Sequence, residues 1–328
     1  MASSTTPSGL SPDPSSALVS GTSSGTFLQT PSHSSSVTVE GPEEPRKIRI
    51  LGLHGMGTSA EIFKSQTSAF RSKLPPHFTF VFIDAPFPCA PAPGAEVLFT
   101  KRAYYAWWKD QTPNAIKLSH LAVTDYIERH GPFDILMGFS QGCALISSYL
   151  LYHARETPDK PLPFQAAVFI CGGVPLPALE DLGVDVTQRA RDINEKTARG
   201  LRKKALYLFD YAANPNLIER GVGLWDDVSD LVHKPDQMPD ETDVFGLDFT
   251  TMPKDLRIKI PTVHVYGAKD PRWPASLQLA HFCDQRKLYD HGGGHEIPRT
   301  SEVSSKIAEL ISGLVEDTQR EKAPAVKE

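Results

Sequence analysis

Several absences narrow what this chain can be. No run approaches the about 18 consecutive apolar residues that a membrane-spanning helix needs, and no charged segment followed by an apolar core marks a secretory signal. Neither Lys nor Arg occurs before Arg46, which excludes the Arg-rich amphipathic helix of a mitochondrial presequence. Cysteine is sparse, and Cys89, Cys143, Cys171 and Cys283 stand far apart with no CxxC pair, a pattern that matches neither a zinc site nor a disulfide framework. A reducing, cytoplasmic setting is the expectation. Dense basic clusters are also missing beyond the short run Arg202-Lys203-Lys204, and the net charge is -5, so nucleic acid is not an expected partner.

What is present is an ordinary globular composition, 40% hydrophobic and 22% charged over 328 residues. Residues 1–45 differ in kind, being dominated by Ser, Thr, Pro and Gly with isolated hydrophobic residues such as Leu18 and Phe27. They are expected to be a disordered tail, and residues 317–328 a second, shorter one. Between the tails, residues 46–316 alternate two kinds of segment. KIRILGL (47–53), FTFVFID (78–84), DILMGF (134–139), AAVFIC (166–171) and PTVHVYG (261–267) are short, nearly continuous apolar runs, with RKLYD (286–290) a weaker sixth. Such runs are typical of buried parallel strands. The connecting segments carry helical periodicity, as in Leu145, Ile146, Tyr149 and Leu150, or Val303, Ile307, Leu310 and Leu314. The alternation implies an α/β fold, a mostly parallel sheet with helices on both faces.

Two regions interrupt it. Residues 85–113 are rich in Pro and then in aromatics, as expected of an irregular loop near a ligand site. Residues 174–257 form a longer insertion with a charged helical part from Val186 to about Leu208, a loop-like stretch at 210–222 and an acidic part near 235–255. A lid over a substrate and an extra surface subdomain are both open readings of it.

The stretch Gly138-Phe139-Ser140-Gln141-Gly142 places a serine between a strand and a helix, with glycines two positions away on each side. That is the pattern of a nucleophile elbow in the α/β-hydrolase fold, where a tight turn lifts the hydroxyl above the sheet and larger flanking side chains would collide with backbone. A serine hydroxyl needs a base, and the base needs an orienting acid. In this fold the chain order is Ser, then Asp or Glu, then His, at the ends of later strands. Asp270, in GAKDP after PTVHVYG, and His295, in HGGGHEIP after RKLYD, stand in that order. Asp284, expected in a helix, Asp290 and Glu296 compete for the acid, and His291 competes for the base. His295 is preferred because three glycines can carry its loop over the sheet. His54 is read as shaping a loop and His264 as a core residue. Oxyanion donors are expected from the backbone amides of Gln141 and of Met56 in LHGMGT (53–58), with Gly57 the alternative to Met56. No metal or cofactor enters this chemistry.

LGLHGMGTSAEIFKSQT, FIDAP, GFSQGCAL, HVYGAKDP and HGGGHEIP, in this order, resemble the FSH-type family of serine hydrolases, as does YYAWW (104–108). The resemblance covers about residues 46–315. It implies an α/β-hydrolase fold in which Ser140, Asp270 and His295 are nucleophile, acid and base. It also implies an esterase or thioesterase acting on a small-molecule acyl ester or thioester, and, from fungal members, release of a carrier-bound polyketide. A general short-chain carboxylesterase and a catalytically silent binding protein are the alternatives. Tyr105, Trp107 and Trp108, with the insertion, are expected to line an apolar acyl pocket. The insertion exceeds that of compact members, which leaves substrate size open.

Overall fold

The computed structural model describes residues 46–99, 102–214 and 223–322; the stretch read as a disordered tail, 1–45, lies outside them. Along the chain, β1 (Ile48–Leu53), α1 (Ala60–Gln66), α2 (Ser68–Arg71) and β2 (Phe78–Ile83) come first. A small antiparallel ladder follows, β3 (Phe87–Pro88) with β4 (Tyr105–Ala106), and α3 (Ala95–Leu98) lies between its strands in sequence. Then come α4 (Pro113–His130), β5 (Ile135–Phe139), α5 (Gln141–Glu156) and β6 (Ala166–Ile170). The insertion holds α6 (Leu176–Asp181), α7 (Gln188–Ala213) and a hairpin of β7 (Asp243–Val244) and β8 (Leu247–Asp248). The chain continues through β9 (Thr262–Tyr266), α8 (Trp273–His281), β10 (Arg286–Asp290) and α9 (Ser301–Lys322).

The six apolar runs form one parallel sheet in the order β10-β9-β6-β5-β1-β2. β5, β6 and β9 are buried at every residue, whereas the edge strands β2 and β10 are partly exposed. Side chains alternate between the faces with a period of two. Ile135 and Met137 pack with Ile307, Ile311 and Leu314 of α9 and with Phe63 and Phe70 of α1 and α2. Leu136 packs on the opposite side with Ile116 and Val123 of α4 and Leu145 and Leu150 of α5. Burying such a Leu or Ile contributes about 1.5–3 kcal/mol, so the central strands form a stiff bed for whatever their ends carry.

From β1 the chain steps to β2 on one side and later to β5 on the other. The strand order therefore reverses between β1 and β5, and in open parallel sheets the crevice at the carboxyl ends of such a pair is where ligands bind. Local sequence sets the helix starts there: Thr112 and Thr187 cap α4 and α7 by accepting from the Ala115 and Ala190 amides, and Pro113 opens α4.

Some boundaries differ from the sequence reading. α7 runs to Ala213, into the stretch read as loop, because its periodicity continues past Leu208. α9 runs to Lys322, taking in residues read as the start of a C-terminal tail; residues 323–328 lie outside the described set. Asp284 is not helical but follows α8 in a bend, where it pairs with Arg257 at 2.7 Å.

Candidate active site

The turn between β5 and α5 is held by contacts that leave no room for larger residues. Ser140 has φ 50° and ψ -111°, a left-handed conformation that costs a non-glycine residue energy and persists only where surroundings enforce it. Its amide donates to the Ile170 carbonyl at 3.0 Å, and its carbonyl accepts from the Cys143 amide at 3.0 Å. A Cβ on Gly142 would lie 2.1 Å from the Leu53 oxygen, and one on Gly138 2.6 Å from the Cys143 nitrogen. Both glycines are there because backbone passes against them. Beneath the turn, the buried Cys143 thiol donates to the Gly138 carbonyl at 3.1 Å and accepts from the Ile170 amide at 3.2 Å. Burial pushes that thiol up, so it stays protonated as a donor.

Ser140 Oγ donates to His295 Nε2 at 3.0 Å, and His295 Nδ1 donates to Asp270 Oδ2 at 2.7 Å. The carboxylate can only accept, so it fixes the proton on Nδ1 and leaves Nε2 free to accept from the serine. Asp270 is fully buried, and its second oxygen accepts from the Arg272 amide at 2.7 Å. The rivals are occupied elsewhere. Asp290 Oδ1 accepts from the Ala268 and Gly292 amides, shaping the loop, and His291 Nδ1 accepts from the Gly293 amide at 3.2 Å. Burial lowers the His291 pKa.

The HGMG loop ends β1 across the crevice. The Gly57 amide is already committed to the Tyr105 carbonyl at 3.0 Å, whereas the Met56 amide hydrogen-bonds nothing among the described residues. The Gln141 amide belongs to the first turn of α5, where amides have no intrahelical partner. His54 sits behind this loop, with Nε2 accepting from the Ala85 amide at 3.0 Å, so that Nδ1 donates to the Gly55 carbonyl at 2.7 Å. Burial lowers its pKa and keeps this neutral tautomer. Trp107 Nε1 donates to the His54 carbonyl at 2.9 Å. The Gln141 side chain completes the brace, its Oε1 accepting from the Trp107 amide and its Nε2 donating to the Trp108 carbonyl, each at 3.0 Å.

A model of the serine hydrolase (FSH1) family matches residues 44–307. The chain belongs to the FSH1 serine hydrolase family. The esterase FPY3 of Fusarium mangiferae is 28% identical to this hydrolase over 273 residues, spanning 82% of this chain and 97% of that protein. The hydrolase FUB4 of Fusarium oxysporum f. sp. lycopersici is 29% identical, spanning 80% and 97%. Acyl-protein thioesterase 2 of Zea mays aligns with 84% of this chain and 96% of its own at 15% identity, with a TM-score of 0.43. Among the described residues, no helix of the hydrolase is long and apolar enough to cross a membrane.

A cavity of about 380 Å³ opens on Ser140 and His295. Of the three aromatic residues read as substrate contacts, only Trp108 is in its wall. Trp107 is buried behind the HGMG loop, and Tyr105 lies in the β3–β4 ladder. Their aromatic signal belongs to the brace, not the pocket. The opposite wall comes from the chain after β6 and from α7, with Val174 and Leu176 but also Asn194 and Arg202, so the cavity is not the apolar slot read from sequence. The insertion also touches the base loop: a Cβ on Gly294 would lie 1.9 Å from the Trp225 ring.

Three residues carried no sequence signal. Cys171 directly follows β6 at φ 50° and lines the cavity. Its thiol, Asp270 and His295 offer ligand atoms within 4.8 Å of one another. The imidazole and carboxylate are already bonded to each other, however, and burial, with Asp270 nearby, pushes the thiol up and keeps it protonated. Trp225 and Arg272 are the others, and only long-range contacts reveal them.

Proposed function

We propose that the hydrolase cleaves carboxylic ester or thioester bonds through an acyl-Ser140 intermediate. Ser140 Oγ attacks the carbonyl carbon while His295 Nε2 takes its proton, and Asp270 holds the imidazole and stabilises its cation. The Met56 and Gln141 amides receive the developing oxyanion; losing one such donor typically costs about 3 kcal/mol of transition-state stabilisation. His295 then returns the proton to the leaving alcohol or thiol. Water, deprotonated by the same nitrogen, releases the acid and restores the serine. The continuous hydrogen-bond chain from Ser140 Oγ through His295 to Asp270 carries this reading. Fluorophosphonate labelling tests it: purified protein should label, and Ser140→Ala should not. Equal labelling of both would remove Ser140 as nucleophile.

The finer reading is release of a carrier-bound acyl or polyketide thioester in a reducing, cytoplasmic setting. Family membership and the relatives named esterase support the reaction class, and the FSH-type resemblance supports the thioester. The general short-chain esterase is the competing reading, and the cavity, at about 380 Å³, suits a short or medium acyl chain. Comparing kcat/KM for carrier-protein thioesters with matched oxoesters separates them. Equal or higher values for short oxoesters would overturn the carrier role.

A further inference from the structure

The charge of the cavity wall is one-sided. Lys109, Arg202 and Arg272 all line it, and no Asp or Glu does. Among the described residues none of these three cations has a salt-bridge partner, although most cations on neighbouring turns do: the exposed Arg199 pairs with Glu195 and Lys203 with Asp230, and the buried Lys204 pairs with Asp227. Arg272 is partly buried, and its guanidinium meets only neutral acceptors, the Asn194 carbonyl and Oδ1 and the Thr197 hydroxyl, at 2.8–2.9 Å. Those bonds occupy NH1 fully and half of NH2, which leaves Nε and one NH2 hydrogen uncommitted. The nearest acid is Asp270, whose oxygens are taken by His295 and by the Arg272 amide. Burial disfavours the Arg272 cation, Asp270 nearby favours it and the neighbouring Arg202 charge disfavours it again, so an arriving anion would offset the burial and the Arg202 repulsion.

We infer that the hydrolase takes substrates carrying an anionic oxygen group, a carboxylate or a phosphate, which Arg272 and Arg202 receive beside the acyl carbon, with Lys109 drawing it in from the opposite lip. Guanidinium forks suit such groups because they offer paired donors to two oxygens. This deepens the acyl-Ser140 reading and rests on it. The anion has two possible sources. It is either a carboxylate at the far end of the acyl chain or the phosphates of a coenzyme A or phosphopantetheine leaving group.

Two substrate pairs distinguish the sources. Mono-p-nitrophenyl glutarate against p-nitrophenyl valerate reports an anion on the acyl side, and butyryl-coenzyme A against the butyryl thioester of N-acetylcysteamine reports one on the leaving side. In at least one pair the anionic member should have a kcat/KM about tenfold higher or more, a preference that shrinks with added salt. Arg202→Glu should abolish that ratio, and Arg272→Lys should retain part of it where Arg272→Gln does not. Arg199→Glu, on the same helix but off the cavity wall, should leave the ratio in place. Calorimetric titration of Ser140→Ala with glutarate gives a readout independent of turnover, and adding Arg202→Glu should remove the binding heat. Normal fluorophosphonate labelling with no anion preference in either pair overturns this inference alone. Loss of labelling overturns the acyl-enzyme reading beneath it. An equal loss of preference in Arg199→Glu would show diffuse charge and no site.

Discussion

The two sides of the cavity are built on different principles. On one side, the HGMG loop, the β5–α5 turn and Trp107–Trp108 are tied by buried hydrogen bonds through His54, Gln141 and Cys143, with glycines where backbones touch. On the other side, α7 is attached to the β9–α8 turn through Arg272 with Asn194 and Thr197, and charged groups stand in the wall without acidic partners. The first side is tightly tied, as the proposed oxyanion site would need, because misplacing a donor forfeits transition-state stabilisation. The second is polar, and it is the side on which the proposed anionic substrate group would sit. The two sides meet at the β9–α8 turn, which carries both Asp270 of the hydrogen-bond chain and Arg272 of the wall.

Substitutions can test that division. Ser140→Ala should lower kcat/KM by about 10⁴–10⁶ with an unchanged melting temperature, measured with a chromogenic ester and by calorimetry. Gln141→Ala keeps the backbone donor but removes both side-chain ties to Trp107 and Trp108; it should lower kcat by about 10² and slow fluorophosphonate labelling in proportion. If labelling is as fast as in the unaltered enzyme, the brace is not what positions the donor. On the insertion side, Trp225→Ala should lower kcat about tenfold by loosening the His295 loop, a smaller effect than on the braced side. Gly142→Ala forces a Cβ against the Leu53 oxygen and should destabilise the fold by about 1–3 kcal/mol, read as a lower urea midpoint.

A last effect, away from the cavity, concerns pH. His120 of α4 bonds Ser148 of α5 at 2.8 Å, and burial pulls its pKa down to about 3 from 6.5. The unfolded chain therefore binds the proton first: stability is complete above about pH 6.5 and falls progressively as pH drops toward 3. Buried His264, pulled to about 3 as well, adds to the slope. His120→Gln should flatten the pH dependence of the melting temperature, and an unchanged slope would assign it to other groups.

How much of this could be read from the sequence follows from the range of each interaction. The sheet was legible because β5, β6 and β9 are buried on both faces and read as continuous apolar runs. The Ser-Asp-His order was legible because Ser140 directly follows β5 and Asp270 and His295 lie in the short loops after β9 and β10. Met56 is preferred to Gly57 without a decisive signal, since both amides lie in one loop; the contact that takes the Gly57 amide comes from the Tyr105 carbonyl, far along the chain. Trp107 looked like a pocket residue because composition reports an aromatic ring without saying which way it faces. The meeting of Arg202 with Arg272 depends on where α7 crosses the β9–α8 turn, and no periodicity encodes a crossing. α7 outran its expected end because Gly and Pro, the usual terminators, are absent from its last turns.

The Gln141 brace makes one residue serve two neighbours at once. Its amide is the proposed oxyanion donor, and its side chain grips the backbone of Trp107 and Trp108, the second of which is in the cavity wall. A substrate that presses on Trp108 therefore pulls on the same residue that must hold the oxyanion. A misfitting acyl group would not merely bind weakly; it would detune the machinery, so that discrimination appears in turnover even where affinity is equal.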